Sequence, residues 1–363
     1  MSTSPSFFIA SGCPIATTTL YRCVHLQEQL QVLCHAARVV DWFDEATIDV
    51  EEAMGFDVLV LYRLPMSPAL ERLIDQAHRL GKPVIFDTDD LIFEPELTKW
   101  HRAVKNLSPG DQAQHLEGVR RYLTTLLACD TVTVATPLLA ELAGKRDKRV
   151  FVHRNSLGRE MRELADELYA ERCDREVDSK VVLGYGSGTA THDIDFKEVA
   201  AALEQVLEQF SQVELWIAGP LTLPASLERF GKRVQRYPLT DWRGWFRLMA
   251  RMDIALAPLE MDNVFCRAKS EIKFVEAGAL GLPVIASKID PFQDSMTEGK
   301  NGFLAENEGE WTQALISLVQ DPQLRMQVGA AARETVMRNY SPEARMADLA
   351  RLLPKLEQFR SNS

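Results

Sequence analysis

The sequence predicts an α/β protein with two doubly wound parallel sheets, each in its own domain. The chain has 363 residues, which exceeds the size at which one hydrophobic core usually stops growing. Short β-branched or aromatic runs alternate with longer segments of helical period, and the alternation restarts after a charged stretch near the middle. Strands covered by helices on both faces form parallel sheets, so both halves are expected to be Rossmann-like.

In the first half, the strand signals are short apolar runs and the helix signals are longer amphipathic segments. The predicted strands are 6–10, 56–62, 83–87 and 131–136. The predicted helices between them are 20–39, 67–81 and 114–130. This domain is expected to cover residues 1–158, and a charged helical linker is expected over 159–179.

The second half repeats the pattern, and its domain is expected to cover residues 180–340. The predicted strands are 180–186, 213–219, 252–258 and 282–287. The predicted helices between them are 195–210, 242–251 and 270–281. Two amphipathic helices follow over 321–339 and 341–359, with no strand after them.

Composition excludes several classes of function. The formal charge of −11 and the pI near 5.3 argue against nucleic acid as a partner. The six cysteines lack metal-binding spacing, and no apolar run approaches the roughly 20 residues of a membrane span. We expect a cytoplasmic protein without a signal peptide. The basic run 145–154 could attract anionic lipid at the inner face of the membrane, or it could be a solvated loop.

Glycines after the first strand of the second half suggest a phosphate site. Gly184, Gly186 and Gly188 would let backbone amides approach a phosphate, although a tight strand-to-helix turn explains them equally well. Neither half opens with G-x-G-x-x-G, and no acidic residue stands at the expected ribose position. A dinucleotide oxidoreductase is therefore disfavoured.

The stretch Asp262–Ser287 carries a more specific pattern. If a helix begins near Ala268, then Lys269, Lys273 and Glu276 lie along one face. Two lysines at a helix N-terminus suit a diphosphate, and a carboxylate one turn later can accept hydrogen bonds from ribose hydroxyls. The alternative is a solvated i,i+4 charge pattern, but the segment is otherwise apolar and runs into a buried strand.

This stretch, DNVFCRAKSEIKFVEAGALGLPVIAS, resembles the donor site of retaining glycosyltransferases of the two-lobed GT-B fold. Those enzymes carry a Glu-x7-Glu motif, in which Glu276 matches the second glutamate and Ala268 replaces the first. The pattern is similar to a bacterial K-S-x-x-K-x-x-E subgroup found in polysaccharide and O-antigen assembly. The resemblance covers most of 181–340. It implies two domains facing a cleft, with the C-terminal helix, 341–363, crossing back onto the first domain.

The resemblance also implies roles for individual residues. The segment PVIFDTDDLIF is similar to the family's T-x-H-D-L, with Asp89 in place of the histidine beside the transferred sugar. A metal-binding D-x-D at Asp87 and Asp89, a phosphatase nucleophile and a capping role for Asp90 are alternatives. The expected acceptor-binding residues are Thr18, Arg22 and Asp87, and the expected catalytic residues are Asp89, Lys269 and Lys273. The expected donor-binding residues are Gly186, Ser187, Gly188, His192, Arg267, Lys269, Ser270, Lys273 and Glu276.

The expected function is sugar transfer from a nucleotide diphosphate-sugar donor to a saccharide or lipid-linked acceptor. Charge on the leaving diphosphate would be stabilised by lysines and backbone amides, with no metal and no cofactor, since the nucleotide sugar is a substrate. The resemblance implies retention of anomeric configuration. A non-catalytic nucleotide-sugar-binding module, favoured by Ala268, and a sugar-nucleotide epimerase remain alternatives. The sequence predicts no particular oligomeric state.

Overall fold

The computed structural model describes residues 4–98, 102–105, 107–175, 179–188 and 192–361. Over these residues the backbone forms two parallel six-stranded sheets, which confirms the predicted fold class. The first sheet has the order β2-β1-β3-β4-β5-β6. Its strands are β1 (Phe7–Ser11), β2 (Ala37–Asp41), β3 (Val58–Tyr62), β4 (Val84–Thr88), β5 (Thr131–Val134) and β6 (Arg149–Val152).

The second sheet has the order β12-β11-β10-β7-β8-β9. Its strands are β7 (Val181–Gly186), β8 (Val213–Ala218), β9 (Val234–Tyr237), β10 (Ile254–Ala257), β11 (Val284–Ser287) and β12 (Phe303–Ala305). Strand β7 pairs with β8 on one side and with β10 on the other. The strand order therefore reverses between β7 and β10. Open α/β sheets bind ligands at such a reversal, at the carboxyl ends of the strands.

Sequence patterning found the central strands of both sheets and missed the edge strands. Strands β2, β6, β9 and β12 were not predicted, and each is partly exposed. An edge strand meets solvent on one side, so its sequence lacks the continuous apolar run of a central strand. Strand β2 also lies partly inside the predicted helix 20–39, which was too long: the helix ends at Val32 and Cys34 has a positive φ of 64°.

Several helices of the first half begin at a side-chain cap. Ser67, Ser108 and Thr136 each accept a backbone N–H at a helix start, and a proline follows at the first helical turn. A π-helical turn, Leu20–Val24, joins the first two helices. The helices are α1 (Ala16–Thr19), α2 (His25–Val32), α3 (Val50–Met54), α4 (Pro68–Arg79), α5 (Pro95–Thr98), α6 (Arg102–Lys105), α7 (Pro109–Ala128) and α8 (Pro137–Gly144).

The helices of the second half surround a core of aliphatic and aromatic residues centred on β7 and β8. Each half also contains a short 3-10 turn, at Glu45–Thr47 in the first and at Gly231–Arg233 in the second. The helices are α9 (Arg159–Cys173), α10 (His192–Gln209), α11 (Ala225–Glu228), α12 (Trp242–Met249), α13 (Val264–Ala268), α14 (Ile272–Ala279), α15 (Asp290–Gln293), α16 (Glu308–Gln320) and α17 (Pro322–Asn339).

The chain separates into two compact units. The first contains the described residues up to Gly158, residues Ala268–Ser270 and the chain from Tyr340 onward; the second contains Arg159–Arg267 and Glu271–Asn339. The last helix, α18 (Pro342–Ser361), packs on α2 in the first unit. It adds Leu349, Leu352 and Leu356 to a core that includes Phe7 and Leu26. This return of the C-terminal helix to the first unit is what the resemblance implied.

The segment 159–179, expected as a linker, contains helix α9, which groups with the second unit. Arg243 pairs with Glu160, and Arg333 pairs with Asp166, so α12 and α17 hold α9 along its length. Within the described residues, no helix combines the length and the apolar character needed to span a membrane.

Candidate functional site

The candidate site lies at the carboxyl end of β7 in the second unit. Strand β7 ends at Gly186, beside the point where the sheet changes direction. A Cβ atom on Gly186 would lie 2.7 Å from Cζ2 of Trp245. The indole therefore lies against the backbone at the end of the strand, and a larger residue at position 186 would require the indole to move.

Lys273 contacts the same strand end from the first turn of α14. Its Nζ donates a hydrogen bond to the carbonyl oxygen of Gly186 at 2.5 Å and lies 4.4 Å from the centre of the Tyr185 ring. The ring face attracts the ammonium group, and the carbonyl fixes its direction. Lys273 thus places a positive charge where the sequence predicted a diphosphate.

Glu276 lies one turn further along α14. Its Oε2 accepts a hydrogen bond from Nε1 of Trp245 at 3.1 Å, and the carboxylate is half-buried. Lys273 and Glu276 therefore share one helix face, as their spacing predicts. Trp245 joins the end of β7 to Glu276. The sequence did not distinguish this residue, because an aromatic side chain in the first turn of a short amphipathic helix carries no distinctive signal.

One part of the predicted helix is wrong. The helix does not begin near Ala268: α13 ends there, and α14 begins at Ile272. Lys269 and Ser270 lie in the break, so Lys269 does not share the face of Lys273 and Glu276. The carbonyl of Ala268 accepts a hydrogen bond from Oγ1 of Thr136 at 3.0 Å, whereas a continuous helix would pair that carbonyl with a backbone amide four residues later.

Residues Ala268–Ser270 group with the first unit, in which Ser270 Oγ lies 3.0 Å from Nδ2 of Asn155. The amide donates and the hydroxyl oxygen accepts. The Lys-Ser pair that begins the K-S-x-x-K-x-x-E pattern is therefore an irregular segment, and the Lys-x-x-Glu pair that ends it is helical.

The remaining predicted donor residues of the second unit make contacts within that unit. The Ser187 hydroxyl donates to the carbonyl oxygen of Pro220 at 2.5 Å, and Gly188 follows it at the end of the described loop. His192 begins α10, with Nδ1 3.2 Å from Oδ2 of Asp195. Arg267 makes two hydrogen bonds to Asp290, at 2.9 and 3.0 Å, and this pairing lowers the pKa of Asp290. Residues 189–191 of the predicted loop lie outside the described residues.

Two of the predicted acceptor residues, Arg22 and Asp87, form an internal ion pair instead of an open surface. Their side chains are 1% and 2% exposed, and Arg22 makes hydrogen bonds of 2.9 and 2.6 Å to the two Asp87 oxygens. Arg22 also donates to the carbonyl oxygen of His153, and Thr133 donates to Asp87. The π-helical turn and the end of β4 bring the pair together inside the first unit, which leaves neither side chain exposed to an acceptor. The burial of both side chains argues against the direct acceptor contact expected of them.

Asp89 is also held by an arginine. Arg63 donates to its Oδ1 at 2.9 and 2.6 Å, and the Tyr62 hydroxyl donates to the same oxygen at 2.8 Å. The positive charges of Arg63 and then Arg22 outweigh burial and lower the pKa of Asp89. Thr18 is half-buried, and its hydroxyl donates to the carbonyl oxygen of Ile15.

These pairings bear on the alternatives for the Asp87–Asp90 segment. Both Asp87 and Asp89 hold a guanidinium group, so neither is arranged as an open metal ligand or an accessible nucleophile. Across the described part of the chain, no group of three or more His, Cys, Asp or Glu side chains could hold a metal ion. Asp90 accepts the backbone N–H of Leu91 at 3.0 Å, and its Oδ2 lies 3.6 Å from Nη2 of Arg63, so local contacts hold this carboxylate as well.

The comparisons with known proteins concern this same unit most directly. Residues 180–321 match the family model described as glycosyl transferases, group 1. That range contains Gly186, Trp245, Lys273 and Glu276. No curated protein sequence matches the chain.

Several solved structures share the fold over nearly the whole length of the chain. HepE of Anabaena, solved with UDP and glucose, is 16% identical with a TM-score of 0.63, and the match covers 97% of this chain and 100% of that chain. A glycosyltransferase of Rickettsia africae is 12% identical with a TM-score of 0.66, and the match covers 97% of this chain and 98% of that one. Sucrose-phosphate synthase of Thermosynechococcus elongatus is 14% identical with a TM-score of 0.62, and the match covers 98% and 99%. At these identities the likeness shows the fold.

Proposed function

We propose that this protein is a glycosyltransferase that transfers a sugar from a nucleotide diphosphate-sugar to a saccharide or lipid-linked acceptor. The cluster of Gly186, Lys273, Glu276 and Trp245 at the end of β7 carries the proposal. It combines a cation and a carboxylate at the carboxyl end of a strand, beside the point where the strand order of a parallel sheet reverses. The match to the group 1 glycosyl transferases over 180–321, and neighbours of the same fold solved with UDP or UDP-glucose, support it.

The proposed chemistry is mainly electrostatic. When the sugar–phosphate bond breaks, negative charge develops on the β-phosphate of the leaving nucleoside diphosphate. Lys273, already fixed against the carbonyl of Gly186, would stabilise that charge without moving far. Glu276 would accept hydrogen bonds from the two ribose hydroxyls, with the indole of Trp245 holding its other oxygen. Lys269, Ser270, Arg267 and His192 remain proposed donor contacts, and their support is the resemblance.

Further parts of the proposal rest on the resemblance. Retention of anomeric configuration and a role in bacterial surface polysaccharide assembly are supported by the K-S-x-x-K-x-x-E pattern. A cytoplasmic location with peripheral contact to the membrane is proposed from the basic run 145–154. In that run, however, Lys145 pairs with Glu141 and Arg146 with Glu94. Flotation with anionic vesicles tests the contact.

The decisive experiment is a double-mutant cycle on Glu276. Glu276→Gln keeps the shape and removes the charge, so it should weaken binding of a nucleoside diphosphate by about tenfold or more. The 2′-deoxy nucleotide should lose less, since one partner hydroxyl is already gone. Calorimetric titration of both nucleotides against both proteins isolates this contact. Absence of nucleoside diphosphate binding to the wild type would refute the proposal, and binding without coupling would remove Glu276 from the ribose site.

Metal independence is a separate part of the proposal. Transfer should continue after exhaustive chelation, since lysine and backbone amides would supply the positive charge. Loss of transfer that magnesium or manganese restores would refute it and would return Asp87 and Asp89 to consideration as metal ligands.

Asp89 is proposed to act on the sugar or acceptor side of the reaction. Asp89→Asn should lower transfer and leave nucleoside diphosphate affinity unchanged, because Asp89 directly follows β4 of the first unit and Lys273 lies on helix α14 of the second unit. Glu117→Gln, at an exposed carboxylate of the first unit, is the matched control. An equal loss of nucleotide affinity in Asp89→Asn would contradict this role.

A non-catalytic nucleotide-sugar-binding module is the second candidate, because Ala268 stands where the related motif has its first glutamate. Screening a panel of nucleotide sugars for hydrolysis and transfer separates the two. Tight binding and ribose coupling without turnover of any donor would favour the module.

A further inference from the structure

A basic cavity lies at the opposite, amino-terminal edge of the second sheet. It has a volume of about 330 Å³. Three residues that line it, Lys180, Asp253 and Pro283, directly precede β7, β10 and β11, respectively. Residues from the ends of α9 and α17 complete the wall. The cavity is therefore distinct from the cluster at the carboxyl end of β7.

Among the described residues, the lining of the cavity is mainly cationic, whereas the chain as a whole is acidic. Within that described lining, four cations, Arg172, Arg175, Lys180 and Arg325, accompany one carboxylate, Asp253. The chain as a whole carries a formal charge of −11. Such a local excess of positive charge in an acidic protein would concentrate anions at the cavity.

Two of these arginines are held by backbone carbonyls. Arg172 donates from Nη1 to the carbonyl oxygens of Ala250 and Met252, both at 2.6 Å. Arg325 donates from Nη1 to those of Leu318 and Val319, at 2.6 and 3.1 Å. These bonds fix both guanidinium groups, and within the described residues no hydrogen bond is made by their Nε and Nη2 groups.

The carboxylate of Asp253 is already engaged by other groups. Asp253 pairs with Arg175 and accepts the backbone N–H of Val182 at 2.7 Å. Lys180 pairs with Glu214 at 2.7 Å. Arg175 and Lys180 thus each pair with a carboxylate, whereas Arg172 and Arg325 donate to backbone carbonyls, which carry no full negative charge. Burial lowers the pKa of Arg172 to about 10 and lowers that of Arg325, whereas pairing with Glu94 raises the pKa of Arg146.

We propose that this cavity is a binding site for a small phosphorylated molecule, with Arg172 and Arg325 as the principal contacts of its phosphate group. Guanidinium groups present several donors in a plane that matches phosphate oxygens. The volume is at the lower end of the range for small-molecule pockets, so the ligand is small. Apolar surface from Tyr169, Pro283 and Met326 also lines the cavity and would contact the organic part. The site is separate from the proposed donor site and does not depend on it.

Cys173 provides a local reporter of binding, because it is exposed and lines the cavity. Cys34, the other exposed cysteine of the described residues, belongs to the first unit. Inorganic pyrophosphate should slow alkylation of Cys173 by about tenfold at ten times its dissociation constant. Alkylation of Cys34 should not change. Sodium chloride at matched ionic strength is the control for screening, and peptide mass spectrometry measures both rates.

A pair of variants at Met326 tests the site without removing any hydrogen bond. Met326 is 58% exposed and lines the cavity. Met326→Glu adds a carboxylate beside the arginines and should weaken pyrophosphate binding about tenfold, whereas Met326→Gln should not. Arg325→Gln should weaken it at least as much as Met326→Glu. Lys273→Gln should leave protection of Cys173 intact, because Lys273 lies at the opposite edge of the sheet.

The outcomes separate this proposal from the proposed function. Unprotected Cys173 at saturating pyrophosphate, or equal protection in Met326→Glu and Met326→Gln, would overturn the cavity site while leaving nucleoside diphosphate binding to be judged by titration. Protection lost in Lys273→Gln would assign the effect to the donor site and would also overturn the proposal. Binding to phosphatidylglycerol vesicles that Met326→Glu abolishes would overturn the assignment to a small soluble ligand.

Discussion

The carboxyl ends of the two sheets carry charged side chains that are held in different ways. In the first unit, Asp87 and Asp89 each receive two hydrogen bonds from one arginine, and the Arg22–Asp87 pair is almost fully buried. In the second unit, half-buried Lys273 contacts a carbonyl oxygen and half-buried Glu276 contacts an indole. The two edges therefore differ in the contacts that hold their charged groups. At the first edge a buried arginine and a carboxylate satisfy one another, and at the second edge Lys273 donates to a carbonyl oxygen and Glu276 accepts from an indole N–H.

The largest effect should come from the buried pair of the first unit. Asp87→Asn leaves Arg22 buried without its counter-charge, which should lower the free energy of unfolding by about 3–5 kcal/mol. Glu204→Gln, which breaks a partly exposed contact with Arg229, should cost less than about 1 kcal/mol. Urea unfolding measures both. A loss in Asp87→Asn no larger than that of the control would show that this edge is not held by charge pairing.

Acid should destabilise the first unit through the buried side chain of His25. His25 is 2% exposed and lies 3.0 Å from the carbonyl oxygen of Ser156, so its Nδ1 carries the proton. Burial lowers its pKa to about 4. The unfolded chain takes up a proton near pH 6.5 and the folded chain does not. Stability is therefore present above pH 6.5 and is lost as pH falls towards 4, by about 3 kcal/mol.

Hydrogen exchange of peptides from each unit, measured between pH 7 and 4 with correction for intrinsic rates, checks this expectation. Peptides of β4 should lose protection as the pH falls, and His25→Gln should flatten the dependence. Equal acid sensitivity in His25→Gln and the wild type would contradict it.

At the second edge, Lys273→Gln should act on binding rather than on stability. Loss of a charge-assisted contact to the diphosphate should weaken nucleoside diphosphate binding by about ten- to a hundredfold. The unfolding free energy should change little, because the side chain is half-buried. Lys197→Gln on the exposed face of α10 is the matched control. A large loss of unfolding free energy in Lys273→Gln, with unchanged nucleoside diphosphate affinity, would show that Lys273 is structural, as Arg22 is at the first edge.

The smallest effect concerns Trp245. Trp245→Phe removes the N–H that holds Glu276 and keeps an aromatic ring against Gly186, so nucleoside diphosphate affinity should fall about fivefold, or ~1 kcal/mol. Trp242→Phe on the same helix is the control, because its ring packs edge-on against Phe246. Combined with Glu276→Gln, the Trp245 change should add nothing if it acts through the carboxylate. Full additivity would contradict that role.

The sequence predicted features that depend on residues close together in the chain, and it missed features that depend on distant residues or on a weak local pattern. Central strands such as β3 and β8 are buried throughout, so their continuous apolar runs identified them. The partly exposed edge strands β2, β6, β9 and β12 carry a weaker local signal and were missed.

The residues of the candidate site were predicted or missed for the same reason. Lys273 and Glu276 are three residues apart on one helix, so their shared face follows from spacing. The break at Lys269 accompanies a hydrogen bond from Thr136, 132 residues away, and Trp245 reaches Glu276 across 31 residues. The burial of Arg22 likewise depends on Asp87, 65 residues further on. Contacts at such separation leave no periodic trace in the sequence.

The placement of α18 has a consequence for synthesis of the chain on the ribosome. The second unit is complete in sequence at Asn339, but the first unit, which emerges earlier, still lacks the helix that supplies Leu349, Leu352 and Leu356. Until those leucines arrive, the apolar face formed by residues such as Phe7 and Leu26 has no cover from α18. A nascent chain therefore carries an unfinished first unit during the whole translation of the second, and that interval is when chaperones would be needed most.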